Sequence, residues 1–147
     1  TIQHHKIDVW EDQVPDDPRP SQEVLDDTYG VAPMPDGTAW VGSLHQGLAL
    51  IDTAGHKLAH YAAPLRDKSI MAMATDPKNN SMWAGHGGVG GLTRLVGTTW
   101  YHFGTEALGG WGNARVADIQ VQAVGPKGTR RILVAFQNGG VGVYDGD

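Results

Sequence analysis

A chain of 147 residues has the length of one domain and can bury a substantial core. Its net charge of −5 and scattered Lys and Arg weigh against a nucleic-acid surface, and no apolar run approaches the ~20 residues of a membrane-spanning helix. The absence of Cys excludes disulfides and thiolate chemistry, and 21 Gly recurring at fixed offsets between apolar stretches read as tight turns rather than disorder.

The chain starts at Thr1 without a signal peptide, the form expected of a processed protein or of a piece cut from a longer one. Its first predicted element is a strand around Lys6-Ile7-Asp8-Val9-Trp10-Glu11 within residues 1–14. Four short strands follow, at 29–34, 38–44, 48–52 and 56–62, then four more at 70–75, 81–85, 92–96 and 99–103. A last group reads as strands at 116–124, 131–137 and 141–145. Pro35-Asp36-Gly37, Asp76-Pro77-Lys78-Asn79-Asn80 and Gly125-Pro126-Lys127-Gly128 occupy one equivalent turn, where Pro fixes φ and Gly or Asn accepts a positive φ. No window shows sustained helical spacing of apolar residues, so the fold class is all-β.

One phrase recurs through these groups. Gly37-Thr38-Ala39-Trp40-Val41-Gly42 leads into Gly47-Leu48-Ala49-Leu50-Ile51-Asp52, Asn80-Ser81-Met82-Trp83-Ala84-Gly85 into Gly91-Leu92-Thr93-Arg94-Leu95, and Arg131-Ile132-Leu133-Val134-Ala135 into Gly140-Val141-Gly142-Val143-Tyr144-Asp145. The glycines that open the second halves, at 47, 91 and 140, lie 91 − 47 = 44 and 140 − 91 = 49 residues apart, a period that marks a repeat architecture. The pattern resembles the β-propeller repeats of two-component regulator sensors at Gly37, Trp40, Gly42, Gly47 and Leu48, and again at Trp83, Gly85, Gly91 and Leu92. The third copy departs from it, with Leu133 in place of Trp and Ala135 in place of Gly.

The resemblance implies three four-stranded blades in a single propeller segment spanning 1–147, with blades at 24–63, 69–104 and 115–147. Trp40 and Trp83 would be packing residues between blades. The third group lacks a fourth strand, and Lys6–Glu11 looks like the fourth strands at 57–61 and 99–103. Residues 1–14 are therefore expected to supply the outer strand of a blade completed with a C-terminus. Propellers close with about four to eight blades. Three blades are then half of a six-bladed ring formed by a homodimer, or a fragment of a larger propeller.

Candidate ligand-binding residues sit in the loops that emerge together at one mouth of such a ring. His45, His86 and Gln137, with Asn138, fall at matching loop positions between second and third strands. Trp111, Asn113 and Arg115 lie in the glycine-rich stretch 109–115, where an aromatic beside an amide and a guanidinium suits a sugar ring or a peptide anchor. The alternative for each is ordinary: solvated loop polarity, and for Trp111 a ring tucked under the neighbouring blade.

Other constellations are weaker. His4 and His5 point to opposite faces of a strand, and His56 and His60 would lie about 13 Å apart on one. Asp12, Asp16, Asp17, Asp26 and Asp27 lack the spacing of a calcium loop, so they read as solvated turn acids. Gly87-Gly88-Val89-Gly90-Gly91 has no following helix to hold a pyrophosphate, and no G-x-S-x-G elbow is present. The sequence reading therefore assigns no catalytic residue, no metal and no cofactor. It expects a non-enzymatic module that binds a small ligand, glycan or protein at its loop face, resembling the sensing part of an extracytoplasmic, periplasmic or secreted regulator. Its alternatives are a carbohydrate-active propeller enzyme, lyase or glycosidase, and a purely structural assembly module.

Overall fold

Alternating apolar and polar residues between Gly-, Asn- and Asp-containing turns give eleven strands among the described residues. The structure is a computed structural model that describes residues 28–61, 65, 67–88, 90–104, 106–110, 114–124 and 126–145. The first sheet holds β1 (Thr28–Pro33), β2 (Ala39–Ser43), β3 (Gly47–Ile51) and β4 (Lys57–Tyr61). The second holds β5 (Ile70–Asp76), β6 (Ser81–His86), β7 (Leu92–Val96) and β8 (Thr99–Phe103). The third holds β9 (Val116–Val124), β10 (Thr129–Phe136) and β11 (Gly140–Asp145). Each is an antiparallel meander in sequence order; the first two have four strands and the third, among the described residues, has three. The expected fourth strand at 6–11 lies outside the described residues.

The registers of the three sheets superimpose. Thr28 faces Ser43, Ile70 faces His86 and Val116 faces Phe136, with a one-residue bulge after each first-strand residue, at Tyr29, Met71 and Ala117. A bulge sharpens the local twist and so fans the sheets about the innermost strands. Those strands, β1, β5 and β9, lie next to one another in turn. Pro33 fits because β1 is an edge strand, where a missing N–H leaves no ladder bond unmade. The third-strand glycines 47, 91 and 140 all carry a positive φ of 82–89°, which closes the turn after the second strand.

Two apolar seams hold the sheets together. Ala32, Trp40, Leu48 and Leu65 meet Ile70, Met82, Ala84 and Leu95 in the first. Ala72, Trp83, Leu92 and Leu108 meet Val116, Ile119, Ile132, Val134 and Phe136 in the second. Trp40 and Trp83 are thus seam residues, as the repeat implied. A methyl group at Gly42 would run into Ile70 and into Met73 Sδ at 2.8 Å, and one at Gly85 into Val116 Cβ at 2.6 Å. Glycine follows each tryptophan because the next sheet's innermost strand crosses there.

Polar staples reinforce both seams. The Thr75 hydroxyl donates to the Pro33 carbonyl at 2.7 Å across the first. Arg130 Nη2 pairs with Asp76 Oδ1 at 3.0 Å across the second, with side-chain exposures of 13% and 1%.

Candidate functional site

The turns between second and third strands (44–46, 87–88 with 90–91, and 137–139) share one end of the sheets with the described parts of the connections between sheets. Backbone hydrogen bonds bind the two sets. Gly47 N–H donates to the Lys68 carbonyl at 3.1 Å, Gly87 N–H to that of Ser69 at 2.9 Å, and Gln137 N–H to that of Arg115 at 2.8 Å. The last two are equivalent bonds in successive sheets, so the rim is built by the same rule that builds the repeat.

On this rim His45, Gln137, Asn138 and Arg115 are exposed. The Ser43 hydroxyl sits under the first turn, accepting from His45 N–H at 3.3 Å and Gln46 N–H at 3.2 Å. Asn138 adopts a left-handed conformation with φ 63°, tolerable for Asn, and turns the chain between β10 and β11. Gln137 and Arg115 are brought together by their backbone bond. These side chains offer an imidazole, two amides and a guanidinium, all suited to hydrogen-bonding a polar ligand. Trp111 and Asn113 lie outside the described residues.

His86 does not belong to this rim. It ends β6, is 1% exposed, and occupies the register position of Phe136 in the third sheet and Ser43 in the first. The expected match of His45, His86 and Gln137 therefore fails: His45 lies two residues beyond Ser43, Gln137 one beyond Phe136, and His86 at the core position itself. Its Nε2 lies 2.6 Å from Thr93 Oγ1, which lies 3.0 Å from His102 Nδ1. A hydroxyl can donate to only one of two imidazoles, so the other must be the donor. Burial pushes the His86 imidazole below its usual titration range, opposed by the negative charge of Asp67. His86 is therefore a neutral core histidine.

Sequence reasoning missed Asp67. Its carboxylate accepts from Ser69 N–H at 2.9 Å and from Gly88 N–H at 2.8 Å, joining the connection between the first two sheets to the β6–β7 turn. The signal was Asp67-Lys68-Ser69 just ahead of a strand, a local Asx turn. The same contact explains part of the glycine run, since a methyl group at Gly88 would strike Asp67 Oδ2 at 2.6 Å. The two histidines at 56 and 60 also separate. His56 precedes β4 and lies 3.2 Å from Asp52, whereas His60 Nε2 donates to the Gln46 carbonyl at 2.8 Å. Among the described residues no three His, Asp or Glu side chains come close enough to hold a metal.

Solved structures share this arrangement. The extracellular domain of a putative one-component system from B. thetaiotaomicron matches 80% of the chain with a TM-score of 0.56 and 16% identity. A streptogramin B lyase matches 81% with a TM-score of 0.51 and 19% identity. The chain spans 17% and 40% of their respective lengths. No protein-family model and no curated protein matches the sequence. At this level of identity the likeness shows the fold, so the three sheets are blades of a β-propeller.

Proposed function

We propose that the chain is a non-enzymatic propeller module that binds a polar ligand, whether a small molecule, a glycan or a segment of protein, at the rim of His45, Gln137, Asn138 and Arg115. The observation that carries this reading is the rim itself. Exposed hydrogen-bonding side chains stand on turns fixed to the connections by backbone bonds, so little conformational entropy is lost on binding. The similarity to an extracellular domain of a one-component system supports an extracytoplasmic sensing role. Trp111 and Asn113, close in sequence to Arg115, are proposed to take part in the same binding.

Calorimetric titration of the purified chain with a panel of oligosaccharides and peptides tests this. Binding of one class, weakened about tenfold or more by Arg115→Ala or Gln137→Ala at unchanged fold, is the expected result; one charge-assisted hydrogen bond is worth about 1.5–3 kcal/mol. Ligand turnover, or affinity indifferent to all the rim substitutions, overturns it. The likeness to a streptogramin B lyase makes turnover of the bound ligand the outcome to watch for.

A further inference from the structure

The middle blade carries a polar chain that its siblings lack. His86, Thr93 and His102 stand side by side on β6, β7 and β8, joined through the Thr93 hydroxyl at 2.6 and 3.0 Å. At the same register positions the first blade has Ser43, Ala49 and His60, and His60 turns to the Gln46 carbonyl instead. The third blade has Phe136 and Gly142. Blades therefore fold without the chain, and its presence needs another account.

One end of the chain is wet and the other dry. His102 is exposed on the outer strand, whereas Thr93 and His86 are buried. The Thr93 hydroxyl has one proton, so it accepts from one ring and donates to the other. The second ring nitrogen of His86, Nδ1, is buried and has no hydrogen-bond partner among the described residues. Orphaned buried N–H groups are rarer than under-used acceptors. Neutral His86 therefore keeps its proton on Nε2 and donates to Thr93, which donates in turn to His102 Nδ1. Beside His86 the connection between the first two blades supplies Asp67 and Ser69. The Asp67 charge and the backbone of both residues favour a proton on the ring, and a charge on His102 opposes one. Its other neighbours, Ile70 opposite on β5 and Thr93 on β7, carry no charge.

We infer that His102, Thr93 and His86 form a proton relay through which acidity outside the blade resets the hydrogen bonds of the rim. On uptake of one proton from water, an N–H bond forms at His86 Nδ1 and the one at Nε2 breaks. The Nε2 proton goes to Thr93 Oγ1, whose own proton goes to His102 Nδ1. The added charge rests on His102 beside solvent, and His86 ends neutral with its proton moved from Nε2 to Nδ1. That new N–H needs an acceptor, and the backbone of Asp67 and Ser69 closes on it. The same segment holds three bonds to the turns: the Asp67 carboxylate to Gly88, the Ser69 carbonyl to Gly87 and the Lys68 carbonyl to Gly47. Protonation at the outer strand thus shifts the turns of the first two blades.

Long-range proton–nitrogen spectra of the chain, isotope-labelled at histidine, distinguish the charged, Nδ1–H and Nε2–H forms of each ring. Between about pH 8 and pH 5, where imidazoles change charge, His102 should become charged while His86 stays neutral and exchanges Nε2–H for Nδ1–H. The Gly87 and Gly88 amide signals should move with the same midpoint. His102→Gln, at an exposed site, and Thr93→Val should each remove the tautomer exchange and hold those amides still, and Thr93→Ser should restore both. A His86 tautomer that is constant over this range overturns the relay, as do Gly87 and Gly88 signals that still move in His102→Gln. No ligand is present in either measurement, so failure here is separate from a failure of the rim to bind.

Discussion

Thr93 shows how much a single hydroxyl can carry. It is fully buried and lies between His86 and His102, so Thr93→Val leaves the His86 ring nitrogen in the seam without its partner. A buried polar group left unsatisfied costs about 1–3 kcal/mol, and chemical denaturation should show a loss of that size. The same site makes a pH prediction. His86 titrates below its unfolded value of 6.5, so near neutral pH both states hold it neutral and its environment carries no penalty. Below pH 6.5 the unfolded chain takes up a proton that the folded chain resists, and stability falls until the folded value is passed. His86→Gln should flatten the melting temperature between pH 7 and pH 5 relative to the parent. The chemistry of His86 was hidden from the sequence because His86-Gly87-Gly88 looks like a loop; only the register with Phe136 reveals a core position.

At the scale of elements, the Trp-x-Gly phrase records how closely neighbouring blades approach. Gly85→Ala would push a methyl group against Val116, whose branched Cβ sits on a fixed backbone and has few rotamers to yield with. Overpacking of this kind costs about 1–3 kcal/mol, read as an earlier denaturation midpoint, whereas Ala135→Gly should change little in a single chain, because no described blade crosses there. Where no described blade crosses, the glycine constraint is absent, and the third copy carries Leu133 and Ala135 in place of Trp and Gly. The Asp76–Arg130 pair supplies a second test at this scale. Asp76→Ala removes one partner of a buried ion pair and also the acceptor for Lys78 N–H at 2.9 Å, so a loss of about 3 kcal/mol is expected. The sequence places Asp76 in the turn, whereas it ends β5, paired with Ser81, and nothing local shows that its carboxylate reaches an arginine in the next blade.

For the whole molecule, strand periodicity, the turns and the thrice-repeated phrase were enough to give the blades and their order, because each blade is written within one stretch of chain. The rim was only partly legible: His45, Gln137, Asn138 and Arg115 face solvent as expected, while Asp67, which braces the rim, acts across 21 residues of sequence on Gly88. In a repeat architecture stability is roughly the sum of the blades and the seams between neighbours, so a blade with one seam is weaker than a blade with two. Every residue of β6, in the middle blade, is buried, whereas β11 alternates between exposed and half-buried. Amide exchange should therefore be slowest in β6 and fastest in β11. Exchange in β11 as slow as in β6 would overturn this ordering of the blades.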